Sequence, residues 1–248
     1  MSKKNLIFGL HAVEALLAKQ PERIKCAYLL DQAVAQDPLQ KIVKTLQDLD
    51  LSYQLVSRAM LDRLTQQARH QGIVVDCKLT KTYSEDELEA ILAALQEPPL
   101  LLILDGIQDP HNLGACLRTA DAAGVHAVIA PKDRSVGLTA AVAKVACGAA
   151  EVIPFVQVTN LARFMKHLKE RGIWLFGLAN EAEKNFYEAD LKLPLALVLG
   201  NEEKGLRHLT RENCDLLFKI PMQGFVSSLN VSVAAGISLF EVLRQRQF

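Results

Sequence analysis

The 248-residue sequence has no uninterrupted apolar stretch of the roughly 20 residues that a membrane-spanning helix needs, although half of its residues are hydrophobic. Its amino-terminal segment carries Lys3 and Lys4, but His11 and Glu14 interrupt the apolar run that a secretory signal requires. We therefore expect no membrane partner and a cytoplasmic location. The apolar content is high enough for a sizeable core, in one large domain or two smaller ones.

Cysteine is sparse and scattered. The cysteines are odd in number, and none lies in a Cys-x-x-Cys pair or at the Cys/His spacing of a metal site. The five positions are Cys26, Cys77, Cys116, Cys147 and Cys214. We interpret them as small buried apolar side chains in a reducing compartment, and we expect no bound metal.

The glycine fingerprints of nucleotide-binding folds are also absent. No Gly-x-Gly-x-x-Gly occurs, so a dinucleotide-binding Rossmann fold has no support. The segment from Gly200 to Gly205 has the glycine spacing of a phosphate-binding loop, but Leu206-Arg207 stands where Lys-Ser/Thr is required. The two glutamates within it would repel a polyphosphate. The sequence therefore excludes an ATPase loop.

The formal net charge is zero, so composition gives no sign of a nucleic-acid partner. The charges are nevertheless uneven. Residues 1–80 carry eleven Lys/Arg and eight Asp/Glu, residues 81–97 carry one and five, and residues 98–248 carry sixteen and fifteen. This distribution predicts three parts, namely a weakly basic head over 1–80, an acidic connector over 81–97 and a near-neutral body over 98–248.

The head alternates helical and strand patterns, which predicts a small α/β domain. The predicted elements are a helix over 9–19, a strand over 24–30, a helix over 39–49, a strand over 53–56, a helix over 60–68 and a strand over 73–79. In the connector, Ser84 and Glu87 form a capping-box pattern that opens a helix ending before Pro98-Pro99.

The body alternates apolar strand patterns with helical segments, which predicts an open, mostly parallel sheet. The predicted strands cover 100–104, 125–130, 153–156, 173–179, 195–199 and 216–220. Ligands of such sheets bind beyond the carboxyl ends of the strands. Three polar loops follow strands there, at 109–118, 200–205 and 222–230.

The last of these loops leads into a segment with Val233, Ile237, Phe240 and Leu243 at helical spacing. Residues 219–246 therefore predict a strand, a loop and a long helix. A structural interpretation is that Ser228 or Asn230 merely caps this helix. A functional interpretation is that the hydroxyl, amide and free backbone N–H groups of the loop bind a ligand.

Three segments resemble the signature motifs of the SpoU branch of the knotted (SPOUT) RNA 2′-O-methyltransferases, in the family's order. They are NLGACLRTA at 112–120, LVLGNEEKGL at 197–206 and IPMQGFVSSLNVSVA at 220–234. FGLHAVEAL at 8–16 and HQGI at 70–73 resemble the family's small L30e-like RNA-binding domain. The resemblance implies an L30e-like α/β head followed by an α/β body with a deep trefoil knot, a rare exception to unknotted topology.

The resemblance also implies that S-adenosyl-L-methionine is the methyl donor and that the protein is a homodimer. Carried over by position, the cofactor-binding residues are Gly200, Ile220, Met222 and Leu229. The catalytic residues carried over are Arg118, Asn112, Glu202, Ser228 and Asn230, with Arg118 completing the partner's site. The substrate implied is RNA, namely a guanosine in the peptidyl-tRNA-binding loop of 23S rRNA. A tRNA substrate and a non-catalytic RNA-binding module of ribosome assembly are the alternatives.

Two roles remain open for Arg118. The family proposal makes this arginine the general base that takes the proton of the ribose 2′-hydroxyl. Guanidinium groups stay protonated in proteins, so we favour a fixed cation that stabilises the developing alkoxide or anchors a phosphate. Outside the motif, Arg118 would be interpreted as a surface residue paired with Asp121.

Overall fold

A computed structural model describes residues 5–35, 37–78, 81–201 and 204–247. The described residues divide into two compact units. The first contains the chain up to Lys81 together with Ala140–Val152, and the second contains Thr82–Thr139 and the chain from Ile153 onward. The sequence had assigned 140–152 to the body and 81–97 to a separate connector. In the structure the helix of that connector belongs to the second unit.

The first unit contains a sheet of four described strands in the order β1-β4-β2-β3. Strand β4 runs antiparallel to β1 and β2, whereas β3 is parallel to β2. The strands are β1 Asn5–Phe8, β2 Ile24–Leu30, β3 Tyr53–Val56 and β4 Ile73–Cys77. The helices are α1 Leu10–Lys19, α2 Leu39–Asp48 and α3 Arg58–Thr65. The sequence pattern missed β1, which is short and pairs only with a strand distant in the chain.

Two helices from the middle of the chain complete this unit, α6 Ala140–Ala146 and α7 Ala149–Val152. Gly148 joins them with φ +98°, and a Cβ there would lie 3.2 Å from the Cα of Ala12. The close approach of this turn to α1 therefore depends on glycine.

A buried ion pair ties the same segment to the rest of the first unit. The guanidinium of Arg23 donates to the carboxylate of Glu151, and both side chains are almost fully buried. Arg23 also donates to Gln20 Oε1 at 2.7 Å and to the carbonyl of Lys78 at 3.0 Å. These extra hydrogen bonds satisfy further donors of the buried guanidinium.

Replacing Arg23 by alanine should lower the free energy of unfolding by about 3–5 kcal/mol, because Glu151 would remain buried without its cation. The exposed pair of Lys41 and Asp37, 2.9 Å apart, is the control in the same unit. Lys41→Ala should cost about 1 kcal/mol or less. Denaturant titration of both variants checks this difference. A double variant, Arg23→Met with Glu151→Leu, should recover much of the loss. An Arg23→Ala cost no greater than that of Lys41→Ala would contradict the prediction.

The second unit is built on seven described strands, all parallel, in the order β7-β6-β5-β10-β8-β11-β9. The strands are β5 Leu100–Asp105, β6 Ala127–Pro131, β7 Phe155–Val158, β8 Trp174–Leu178, β9 Lys184–Asn185, β10 Leu195–Gly200 and β11 Leu216–Lys219. The helices are α4 Glu85–Ala94, α5 Pro110–Ala122, α8 Leu161–Glu170, α9 His208–Asn213 and α10 Val231–Gln247. The predicted α/β fold with an open parallel sheet is confirmed, and the two-residue edge strand β9 was missed.

Burial explains the apolar runs of the central strands. All six residues of β5 and the first five of β10 are buried, as expected for parallel strands covered on both faces. Ser84 and Glu87 form the predicted capping box, with bonds of 3.2 and 2.9 Å. None of the helices described here is long and apolar enough to cross a membrane.

Candidate active site

A cavity of about 380 Å³ lies at the carboxyl ends of β8, β10 and β11. Its size falls in the range of small-molecule sites. The four residues expected to bind the cofactor, Gly200, Ile220, Met222 and Leu229, all line this cavity together with Ser228. Its walls come from two of the three polar loops of the sequence and from the residues that follow β8. The structure thus brings together residues that are separated by up to 56 positions along the chain, from Leu178 to Ala234.

The wall at the end of β10 is a tight turn. Asn201 and Gly205 exchange backbone hydrogen bonds of 3.1 and 2.8 Å, and Gly205 has φ +64°. A Cβ on Gly200 would lie 2.1 Å from the carbonyl carbon of Gly205 and 2.3 Å from the nitrogen of Leu206. No side chain fits there unless the backbone of the turn moves, so glycine is required at position 200.

The buried carboxylate of Asp105 fixes the far end of this turn. Asp105, the last residue of β5, accepts hydrogen bonds from the backbone nitrogen of Arg207 at 3.0 Å and from its Nε at 2.5 Å. The Asp105 side chain is fully buried, whereas that of Arg207 is partly exposed. Charge-assisted bonds of this kind are stronger than neutral ones. They hold the loop after β10 against the end of β5, beside the cavity.

Two asparagines from different motifs meet at the starts of two helices. Asn230 Nδ2 donates to Asn112 Oδ1 at 3.0 Å. The Oδ1 of Asn230 accepts from the backbone nitrogen of Ser232 at 2.9 Å, and so it caps α10. Asn112 lies in the first turn of α5, which Asp109 caps by accepting from His111 N at 2.8 Å. The amide of Asn230 thus caps a helix and also bridges two motifs, whereas ligand binding by this loop stays a prediction.

The remaining predicted site residues are placed as follows. Arg118 lies on an exposed position of α5, six residues after Asn112, which corresponds to about 9 Å along a helix axis. Ser228 is exposed at the mouth of the cavity. Glu202 lies outside the described residues. The cavity lining, as far as those residues define it, does not include Asn112, Arg118 or Asn230.

The sequence did not single out the wall contributed by β8. Leu178, Ala179, Asn180 and Glu181 line the cavity, and Arg211 of α9 forms an ion pair with Glu181. These residues follow the carboxyl end of a strand that lies between β10 and β11. Ligands of parallel sheets bind beyond the carboxyl ends of the strands, which is where these residues lie. Applying this rule to them requires the strand order, which the sequence pattern does not give.

A cysteine near this region is chemically inert. Burial, together with the negative charge of Asp215, raises the pKa of the Cys214 thiol to about 12. Its sulfur donates to the carbonyl of Thr210 at 3.3 Å. The thiol therefore stays protonated at neutral pH and is not a nucleophile. Of the cysteines expected to be buried, Cys77 and Cys116 are, whereas Cys26 and Cys214 are half-buried and Cys147 is exposed.

The outward face of α10 is apolar. The buried residues of the helix are Val231, Ala235, Ser238, Leu239 and Val242, and the helix packs against α5 and β10. The stripe recognised in the sequence lies elsewhere on the helix. Val233 and Phe240 are each 49% exposed, and Ile237 between them is partly exposed. The sequence periodicity therefore identified an apolar face that the single chain leaves uncovered.

Comparison with known proteins adds the family. The model of the SpoU rRNA methylase family matches residues 99–240, and that of the RNA 2′-O ribose methyltransferase substrate-binding domain matches residues 6–83. A Shewanella oneidensis protein named 23S rRNA (guanosine-2′-O-)-methyltransferase RlmB is 56% identical over 247 residues, covering 100% of both chains.

Two solved structures share the fold. An RNA 2′-O ribose methyltransferase is 27% identical, with a TM-score of 0.77, covering 98% of this chain and 89% of that one. The SpoU methyltransferase AviRb from Streptomyces viridochromogenes, crystallised with AdoMet, is 22% identical, with a TM-score of 0.76 and coverages of 97% and 89%. This chain belongs to the SpoU rRNA methylase family.

Proposed function

We propose that the protein transfers the methyl group of S-adenosyl-L-methionine to a ribose 2′-hydroxyl of 23S rRNA, on a guanosine of the peptidyl-tRNA-binding loop, in the cytoplasm. The observation that carries the proposal is the cavity in which Gly200, Ile220, Met222 and Leu229 converge. The full-length similarity to the Shewanella protein supports the rRNA substrate. The predicted trefoil knot remains a prediction.

The cavity residues suit the proposed methyl donor. The apolar side chains of Ile220 and Leu229 can pack on the faces of an adenine. The space of a side chain at Gly200 is taken by the backbone of Gly205 and Leu206, so backbone groups form this part of the wall. Bound S-adenosylmethionine supplies an electrophilic methyl group. The chain itself must position the ribose and manage its proton, because a hydroxyl is a poor nucleophile until the proton leaves.

Different polar residues position the ribose and stabilise the charge that develops as its proton leaves. The hydrogen bond between Asn112 and Asn230 fixes two helix starts, so the amides can orient substrate groups. Ser228 at the cavity mouth offers a hydroxyl that donates or accepts a hydrogen bond. Arg118 serves as a fixed cation for the developing alkoxide or for a phosphate. The family resemblance assigns Glu202 beside it.

We propose further that the protein is a homodimer and that Arg118 acts in the site of the partner subunit. The uncovered apolar stripe of α10, with Val233 and Phe240 half exposed, supports this assembly. Exposed apolar patches of this kind are typical of association surfaces. Arg118 lies on α5, which packs against α10, and it is exposed on the single chain.

Replacing Phe240 by aspartate should therefore convert the dimer to monomers and abolish methylation, because a charge would be buried in an apolar interface. Leu209 of α9 is also exposed, and Leu209→Asp is the control for adding a charge to an exposed apolar position. Sedimentation equilibrium measures the association of both variants. Monomeric wild-type protein, or dimeric Phe240→Asp, would contradict the proposal.

The function is tested by mapping ribose 2′-O-methyl groups in RNA from cells that lack the protein. Loss of one methyl group from 23S rRNA, restored by the wild-type gene, is expected. Purified protein should then methylate a 23S rRNA fragment that contains the guanosine, and it should not methylate one with a 2′-deoxyguanosine at that position. An unchanged rRNA together with a missing methyl group in tRNA would redirect the proposal to tRNA. No lost methyl group in either RNA would favour the non-catalytic alternative.

A further inference from the structure

The first unit contains a second cavity, of about 330 Å³, far in sequence from the methyl-donor motifs. Three parts of the chain form it. These are β1 with the start of α1, the turn at 69–71, and helix α6 from the 140–152 segment. All of them belong to the same compact unit. Neither the fold nor the proposed chemistry explains this opening.

The lining combines apolar surface with positive charge. Leu6 and the partly exposed aromatic ring of Phe8 come from β1, whereas Arg69 and Lys144 come from the turn and from α6. No carboxylate belongs to its described lining. Among the described residues neither Arg69 nor Lys144 forms an ion pair, so both cations are available to an anionic ligand.

The turn that carries Arg69 is held in place by its neighbours. The buried ring of His70 accepts a hydrogen bond from the nitrogen of Gly72 at 3.0 Å through Nδ1, and its Nε2 lies 3.1 Å from Asp62 Oδ1. Gln71 accepts from the nitrogen of Leu10 at 3.2 Å. Arg69 therefore projects from a fixed backbone, which lowers the entropic cost of binding.

We propose that this cavity binds one unpaired nucleotide of the RNA substrate. The base stacks on Phe8 against the apolar floor, and the adjoining phosphate lies between Arg69 and Lys144. Unpaired bases are recognised in RNA by aromatic stacking, and arginine and lysine position the phosphates. The inference rests on the proposed action on RNA and adds where an unpaired nucleotide is held.

One wall of this cavity comes from outside the predicted head, namely from helix α6. Lys144 belongs to a segment whose chain leaves the second unit after β6 and returns to it before β7. A head ending at residue 80 lacks this wall. The nucleotide site therefore requires the full chain.

The test uses full-length protein and a 23S rRNA fragment that contains the target loop. Arg69→Gln and Lys144→Gln should each weaken RNA binding about tenfold, and each should reduce the slope of log affinity against log salt by roughly one. Phe8→Leu should weaken binding about tenfold, in the range for loss of one stacked base, without changing that slope. Lys25, exposed on β2 of the same unit, provides the control Lys25→Gln, which should bind like wild type.

Catalytic measurements separate this inference from the proposed function. The three variants should raise the KM for RNA and leave kcat and methyl-donor affinity unchanged. Wild-type protein that binds the RNA but never methylates it would refute the proposed function and leave the nucleotide site standing. Methylation with wild-type KM in all three variants, or an equal loss of affinity in Lys25→Gln, would overturn the nucleotide site.

A direct measurement avoids dependence on the folding of any variant. Ultraviolet irradiation of the wild-type protein with RNA should crosslink a base to Phe8, and mass spectrometry of the digested complex identifies the peptide. Crosslinks confined to other peptides would overturn the proposal. Competition by an acidic peptide but not by single-stranded RNA would show that the cavity serves an acidic protein partner instead.

Discussion

Gly200→Ala should remove binding of the methyl donor, with a loss on the order of 10²-fold or more, comparable to other misplacements of about 1 Å in a site. The added Cβ would lie 2.1 and 2.2 Å from the carbonyl carbon and oxygen of Gly205. Both are backbone atoms, so no side-chain rotation relieves the clash. The turn is also bonded to itself through Asn201 and held at Arg207 by Asp105. The loop must therefore shift as a whole, and the cavity wall shifts with it.

Gly224→Ala is the matched control. Gly224 lies in the 222–230 loop, its backbone does not have positive φ, and no described atom lies within 4 Å of its ideal Cβ position. Calorimetric titration of both variants with S-adenosylmethionine should show binding in Gly224→Ala only. Far-UV circular dichroism and a thermal melt establish that Gly200→Ala is folded. Near-wild-type affinity in a folded Gly200→Ala protein would show that the methyl donor binds elsewhere.

The second large effect is expected at Arg118. Arg118→Ala should lower the single-turnover rate on the order of 10²-fold or more, as does removal of a group that stabilises developing negative charge. Arg118→Lys keeps a positive charge but loses the planar guanidinium, so it should retain part of the activity. Arg171→Ala is a suitable control, since Arg171 pairs with Glu89 far from the motifs in sequence.

The pH dependence of the Arg118→Lys rate distinguishes the two roles. If this residue is the general base, a lysine with an ordinary pKa of about 10.4 should move the alkaline limb of the profile to lower pH. If it is a fixed cation, the profile should keep its shape and fall to a lower plateau. Single-turnover measurement is needed, because the limb reports the base only when chemistry limits the rate. A clear downward shift would refute the fixed-cation role that we favour.

Many elements of the fold, and the family motifs, could be predicted from short continuous stretches of sequence. Continuous apolar runs marked the buried parallel strands, such as the one ending at Asp105, because both faces of such strands are covered. The pair Ser84 and Glu87 predicted a helix start, because the hydrogen bonds of a capping box join residues only three positions apart. The family motifs were recognisable for the same reason, since each lies within one continuous stretch of chain.

Features that depend on distant parts of the chain were decided only by the tertiary structure. Residues 140–152 look like any helical segment of the body, yet the buried pair of Arg23 and Glu151 places them in the first unit. The stripe with Phe240 was visible as a periodicity, but which face of α10 is covered depends on where α5 packs. The cavity wall formed by the residues after β8 could be predicted only with the strand order, which places β8 between β10 and β11. Periodicity records which residues share a face, whereas the partner of that face is set by packing between segments far apart in sequence.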